Sequence, residues 1–322
     1  MCGISGKIYL NGEKINQADL KSMTDAISHR GPDGEGFYIN PAGNVGLGHR
    51  RLAIIDLSPA ASQPMSNEDG TIWIIFNGEI YNYRQLRQDL ERRGHKFKSQ
   101  SDTETIIHLY EDYGEGCLEY LRGMFAFAVW DEKNQQLFLA RDRLGKKPLK
   151  YYLGKDVFIF ASELKAILTQ LAAKPEVDDQ ALPHFFAFNH LAASATGFKG
   201  IYKLPSAHYA ILKNGELKIK KYWDLDFSKK TALTYSEAQE ELRRLLTKAV
   251  KLRLIADVPL GAMLSGGIDS SLVVGLMSQF GRPKTFSIGF ADEKLDERPF
   301  ARIAADYFGA DHTDIEVKPN TI

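Results

Sequence analysis

A change of hydrophobic period near Thr234 constrains the fold most. From there, strand-length and helix-length apolar blocks alternate. Residues 236–255 (SEAQEELRRLLTKAVKLRLI) read as a long amphipathic helix. Residues 258–265 (VPLGAMLS) read as an apolar strand, 270–281 as a helix, 283–291 as a strand, 298–310 as a helix and 312–317 as a strand. That order is βαβαβ, the start of a doubly wound parallel sheet.

The chain before this point follows other rules. Residues 3–10, 44–57 and 157–162 read as short strands, and 123–142 as a hairpin turning near Lys133 and Asn134. Residues 71–83 read as two strand ends meeting at Asn77-Gly78, and 163–171 as a short helix. Two amphipathic helices, 83–94 and 102–114, stop at Gly94 and Gly114. Strands and helices mixed in this way predict an α+β arrangement of layered sheets. Residues 191–233 read as a connecting segment that includes one hairpin. The predicted division is therefore 1–190, 191–233 and 234–322.

The 322 residues suffice for two domains. Lys+Arg and Asp+Glu both number 41, which favours neither nucleic acid nor an anionic membrane as partner. No apolar run nears the ~18 residues of a membrane span, and the N-terminus lacks the apolar core of a signal peptide. With only Cys2 and Cys117, whose spacing fits no zinc site, the sequence predicts a cytoplasmic protein with no metal-ligating residues. Cys117 reads as a core thiol.

Ser265-Gly266-Gly267-Ile268-Asp269-Ser270-Ser271 lies between a predicted strand and a predicted helix. Glycines permit close backbone approach, and a helix N-terminus offers unpaired N–H groups to an anion. No lysine follows, so this is not the G-x-x-x-x-G-K-S/T loop. The competing reading is a glycine turn with a serine cap. Cys2 follows only Met1. If Met1 is trimmed, one residue carries both a nucleophilic thiol and a basic amine, the logic of N-terminal nucleophiles. A Met-Cys start also arises by chance. Four further segments stand out: 29–33 (HRGPD), 48–52 (GHRRL), 77–82 (NGEIYN) and 101–104 (SDTE). Singly, they read as a Pro-Gly turn, a surface arginine, a type I′ hairpin turn and a capping box.

In combination and in this order, Cys2 and these segments resemble the glutaminase domain of class II glutamine amidotransferases. SGGIDSS resembles the PP-loop of ATP pyrophosphatases. Together, from Cys2 to about His312, the chain resembles glutamine-dependent asparagine synthetases. The resemblance implies an N-terminal nucleophile hydrolase fold, a four-layer α/β/β/α sandwich, followed by the start of an α/β PP-loop domain. It implies that Cys2 attacks glutamine, with Asn77 and Gly78 stabilising the oxyanion. Arg51, Leu52, Ile54, Asn77, Gly78, Glu79 and Asp102 would bind glutamine, Arg51 at its carboxylate and Asp102 at its ammonium. Leu264, Ser265, Gly266, Gly267, Asp269, Ser270 and Ile288 would bind ATP. The implied co-substrate and metal of the synthetase half are ATP and Mg²⁺, with none for the glutaminase half. Ammonia would reach a β-aspartyl-adenylate, giving asparagine, glutamate, AMP and pyrophosphate. A homodimer is compatible with this reading.

Two departures qualify it. Only 58 residues follow Leu264, which predicts an incomplete second domain with doubtful ligase activity and exposed apolar surface. Lys146 stands where similar segments are apolar and joins Arg141, Arg143, Lys147 and Lys150 in a basic cluster, read as a solvated loop or a docking surface. The alternatives are an amidotransferase with another acceptor, a glutaminase-only homologue, and a non-enzymatic interaction protein.

Overall fold

The computed structural model describes residues 1–191, 194–290 and 296–317. The strand expected over 283–291 ends, at Ala291, outside the described residues, and the connecting segment expected over 191–233 includes two such residues. The chain divides into two compact units, Met1–Asp226 and Phe227–Ile322.

The first unit runs β1 (Gly3–Tyr9), α1 (Gln17–Asp25), β2 (Gly34–Ile39), β3 (Val45–Arg51), β4 (Met65–Ser66), β5 (Ile72–Ile80), α2 (Tyr83–Arg92) and α3 (Asp102–Tyr113). It continues with β6 (Gly123–Asp131), β7 (Gln136–Arg141), β8 (Lys150–Leu153), β9 (Val157–Ala161), α4 (Leu164–Leu168), α5 (Leu182–Phe188), β10 (Ile201–Lys203), β11 (His208–Lys213) and β12 (Glu216–Lys221). Two antiparallel six-stranded sheets result, ordered β10-β8-β9-β1-β3-β2 and β12-β11-β7-β6-β5-β4.

Two-residue alternation explains the layering. Ile4, Ile8, Val45, Leu47, Phe158 and Phe160 of the first sheet pack against Ile75, Ala126, Ala128, Leu137, Leu139 and Leu212 of the second. The intervening residues face helices. Ile159 and Ala161 join Leu20 and Met23 of α1 and Ile167 of α4, while Phe138 stacks on Tyr110 of α3. The layers are thus α/β/β/α, as the resemblance implies.

Three local expectations are corrected. Asn77-Gly78 is not a turn: β5 runs straight through it, paired with β6 from Ile72↔Asp131 to Ile80↔Gly123. The hairpin rule fails because the residues on both sides of the dipeptide pair continuously with one long neighbour. Residues 201–221, expected within a connecting segment, supply β10 to the edge of one sheet and β11 and β12 to the edge of the other. The basic cluster is only in part a solvated loop: Arg143 and Lys146 are exposed, whereas Arg141, Lys147 and Lys150 turn inward. Arg141 donates to the carbonyls of Gly145, Lys147 and Leu204 at 2.7, 2.8 and 2.7 Å. Lys150 Nζ donates to Ser162 O at 2.8 Å, and Lys147 is buried. Cys117 is buried, as a core thiol should be.

The second unit contains α6 (Tyr235–Leu252), β13 (Gly261–Met263), α7 (Ile268–Met277), β14 (Lys284–Gly289), α8 (Arg298–Tyr307) and β15 (Asp311–Glu316). Its strands form a parallel sheet, β13-β14-β15, the predicted βαβαβ. Thr234 and Glu237 close a reciprocal capping box at the start of α6. The buried core centres on Leu264, Val274, Ala301 and Ala305. Apolar Leu242, Leu245, Ile268, Phe300 and Ile303 are exposed, and α6 buries no residue.

Candidate active site

The register of the first unit carries its polar residues to one end of the sandwich. On β1, Ile4 and Ile8 face the inter-sheet core, so Cys2 falls on the same side just before the strand. By the same alternation, His49 and Arg51 follow Leu47 on β3, and Asn77 and Glu79 follow Ile75 on β5. The pocket there has a volume of about 280 Å³. Its lining includes all seven residues assigned to glutamine chemistry besides Cys2: Arg51, Leu52, Ile54, Asn77, Gly78, Glu79 and Asp102.

Cys2 Sγ accepts from Leu52 N at 3.3 Å. Burial pushes the thiol upward from its ordinary value, against the effects of that bond and of the nearby N-terminal ammonium. Burial also pushes the Met1 ammonium downward. Both shifts favour a neutral thiol beside a neutral amine. Arg30 pins this end of the chain: its Nε donates to Cys2 O at 2.9 Å and its Nη1 to Glu163 at 2.8 Å.

Along β5, backbone groups alternate in direction. Phe76 N–H goes to Gln63 Oε1 at 2.6 Å and Ile80 N–H to Asp102 Oδ2 at 2.8 Å. Gly78, lying between them, opposes Phe125, whose own N–H and C=O both bond Asp142. The Gly78 N–H therefore points away from β6, on the side of Gln63 and Asp102. A Cβ at Gly78 would lie 2.2 Å from Met124 O, so only glycine fits. Asn77 is fully buried, and neither atom of its amide has a partner among the described residues. Leaving such a group unpaired costs ~1–3 kcal/mol.

Asp102 opens α3, capped by Ser101, whose Oγ accepts from Thr103 N at 3.0 Å. The expected capping box does not form. Glu104 instead turns back to Lys98 N and Ser99 N at 2.7 and 2.8 Å. Burial raises Asp102 to about 7, aided by the charge of Glu79 and opposed by the Ile80 N–H. Arg51 donates to Ser58 O at 3.0 Å and to Asp56 O, which aligns its guanidinium on the 56–58 loop. Lys147, Gln63, Phe76, Ile55 and Met124 also line the pocket without having been assigned to it. For Lys147 a signal existed, its place in the basic cluster. Gln63 had none, because its role depends on reaching β5 from a distant loop.

In the second unit, Leu264 follows β13 and is buried, its N–H bonded to Phe286 O at 2.8 Å. Gly266 has φ +79°, and a Cβ there would lie 2.3 Å from the Phe300 backbone. Ser265 Oγ meets Ser270 Oγ at 3.0 Å and accepts from Gly267 N at 3.3 Å. Asp269 and Ser270 stand in the first turn of α7, and Asp269 is exposed. Ile288 is exposed near the carboxyl end of β14. The loop therefore joins a strand end to a helix N-terminus, where doubly wound sheets bind ligands.

A family model described as a glutamine amidotransferase domain matches residues 1–223. The chain belongs to the glutamine amidotransferase family. A second model, asparagine synthase, matches residues 241–322. A putative glutamine-hydrolyzing asparagine synthetase 2 of Methanocaldococcus jannaschii is 40% identical over 97% of this chain and 64% of its own length. Asparagine synthetase 1 of Bacillus subtilis is 37% identical over 99% of the chain and 50% of its own length. Amidase chry2 of Gibberella zeae is 38% identical over 97% and 50%. The chain thus spans only about half to two-thirds of the lengths of these curated relatives. Among solved structures, the glutamine phosphoribosylpyrophosphate amidotransferase of B. subtilis superposes with a TM-score of 0.51 at 18% identity, covering 97% of this chain and 65% of that one. This likeness concerns fold, and the fold of this amidotransferase chain is that of an N-terminal nucleophile hydrolase followed by the start of a PP-loop unit. Among the described residues, no helix is long and apolar enough to cross a membrane.

Proposed function

We propose that this chain hydrolyses glutamine at Cys2 and, within the protein it represents, passes the ammonia to an ATP-activated aspartate. The observation that carries the first half is Asn77. A fully buried amide without a partner among the described residues lines one pocket with Cys2 and Gly78. Such a donor suits an oxyanion, which is absent until the reaction makes it.

In this reading Met1 is removed and the freed amine of Cys2 takes the thiol proton. The sulfur attacks the glutamine side-chain carbonyl, and a C–S bond forms. Asn77 Nδ2 and Gly78 N–H receive the developing negative charge. The C–N bond breaks, the amine's proton leaves with ammonia, and water releases glutamate from the thioester. Arg51 takes the substrate carboxylate, Asp102 and Glu79 its ammonium, and Leu52 and Ile54 the apolar wall. An electrophilic diazoketone analogue of glutamine tests the assignment, with intact mass reporting Met1. Exclusive labelling of Cys2 supports it. Labelling at Cys117, or none on trimmed protein, overturns it.

For the second half, Leu264, Ser265, Gly266, Gly267, Asp269, Ser270 and Ile288 hold ATP. Mg²⁺ usually binds through phosphates and one or two carboxylates. Asp269, exposed at the start of α7, suits that set and would help neutralise phosphate charge there. The names of the Methanocaldococcus and Bacillus relatives favour aspartate as acceptor. The fungal amidase favours the second reading, another acceptor on the same chemistry. Pyrophosphate release dependent on aspartate separates the two. We place the domain division between β12 and α6, the assembly as a homodimer and the location as the cytoplasm. Light scattering tests the dimer.

A further inference from the structure

Away from the pocket, Glu68, His95, His108 and Glu111 bring one potential ligand atom each to within 4.8 Å of one another. They come from three places: the β4–β5 turn, the α2–α3 connection, and two positions one helical turn apart on α3. His108 Nδ1 lies 2.8 Å from Glu111 Oε2 and 3.5 Å from Glu68 Oε2. His95 Nδ1 lies 3.6 Å from Glu68 Oε1 and 3.7 Å from Glu111 Oε2. Zinc–ligand bonds of ~2.0–2.1 Å place tetrahedral ligand atoms ~3.3 Å apart, and these separations bracket that value.

The surroundings are built as metal sites usually are. His95 Nε2 meets Asp112 Oδ1 at 3.1 Å, which fixes its ring and leaves Nδ1 turned inward. Asn67 Nδ2 donates to Glu111 Oε1 at 2.8 Å, and Lys96 N to Glu68 Oε1 at 3.0 Å. His108 is buried, and its Nε2, without a hydrogen-bond partner among the described residues, lies 3.8 Å from the buried carboxylate of Glu104. Arg93 Nη1 faces Asp112 from outside at 3.4 Å. The two carboxylates balance a divalent charge. Glu68 is the most exposed of the four, which leaves a route in.

We propose that Glu68, His95, His108 and Glu111 form a structural binding site for a borderline divalent cation of the zinc class. A cation there ties the β4–β5 turn and the α2–α3 connection to α3, whose first residue, Asp102, lines the pocket. The set is closed by protein ligands, so its role is to hold α3 rather than to activate water.

The test uses the full chain, stripped with chelator and equilibrated with Zn²⁺. Cys2 is a competing thiol ligand, so the measurement is repeated in Cys2→Ala. Elemental analysis should give one zinc per chain in both, X-ray absorption should show only nitrogen and oxygen neighbours, and melting temperature should rise with zinc. His95→Ala and Glu68→Gln, at partly exposed positions, should fold by circular dichroism yet bind zinc at least ~10-fold more weakly. No retained zinc, sulfur ligation, loss of zinc in Cys2→Ala alone, or unchanged affinity in both ligand variants overturns the proposal.

Discussion

The N-terminal unit assembles its pocket from Cys2, Arg51, Asn77 and Asp102, which lie far apart in sequence and meet only because two sheets stack in register. The C-terminal unit carries its candidate loop as one run, Ser265 to Ser270, between a strand and a helix. The first site is made of buried and half-buried side chains whose desolvation sets their chemistry. The second is made of backbone, glycine freedom and exposed hydroxyls. The lesson concerns what each can lose. The buried site depends on the whole sandwich, whereas the loop depends on a few backbone angles.

The largest expected difference comes from Asn77→Ala. Removing one preorganised oxyanion donor typically costs ~10²–10³ in kcat. Steady-state glutaminase kinetics should show that loss with KM little changed. A loss confined to KM would assign Asn77 to ground-state binding and weaken the contrast.

Asp102 supplies the next effect. Its folded value of about 7 lies above the ordinary 3.8, so the folded state holds a proton that the unfolded state has released. Stability should therefore fall as pH rises between about 4 and 7, by up to ~1.4 kcal/mol per pH unit from this group. Asp102→Asn should flatten that slope in denaturant titrations. If the carboxylate must be ionised to receive the substrate ammonium, KM for glutamine should fall as pH rises through about 7 in the parent and not in the variant.

In the C-terminal unit, Gly266→Ala meets both a positive φ and the Phe300 backbone. It should destabilise that unit by a few kcal/mol and abolish ATP binding in calorimetry, while glutamine hydrolysis persists. Loss of both activities together would show that the two sites are not separable. The smallest effect is dynamic. Amides of α6, which buries no residue, should exchange faster than those of β1 and β6. Equal protection would contradict the contrast in packing.

The legibility of the sequence follows the same division. The βαβαβ order and the loop after β13 could be read because strand, glycines and helix are contiguous. In the first unit the strands were readable from alternation, but their pairing was not. Residues 201–221 read as a connection because nothing local says that Tyr209 pairs with Ala140. Asn77-Gly78 satisfied a turn rule that only the nine-residue pairing of β5 with β6 overrides. Cys2 stood out by its place after Met1, whereas Arg51, Asn77 and Asp102 came from resemblance rather than from spacing. Gln63 and the Glu68–His95–His108–Glu111 cluster escaped both, since their grouping exists only after the α2–α3 connection folds back on the β4–β5 turn.

The central claim is that the pocket around Cys2 is a glutamine-hydrolysing site. Glutamate release by the purified chain, with intact mass showing loss of Met1, tests it most directly against Cys2→Ala. The account predicts steady release that the variant abolishes. Release at the same rate from Cys2→Ala would contradict it.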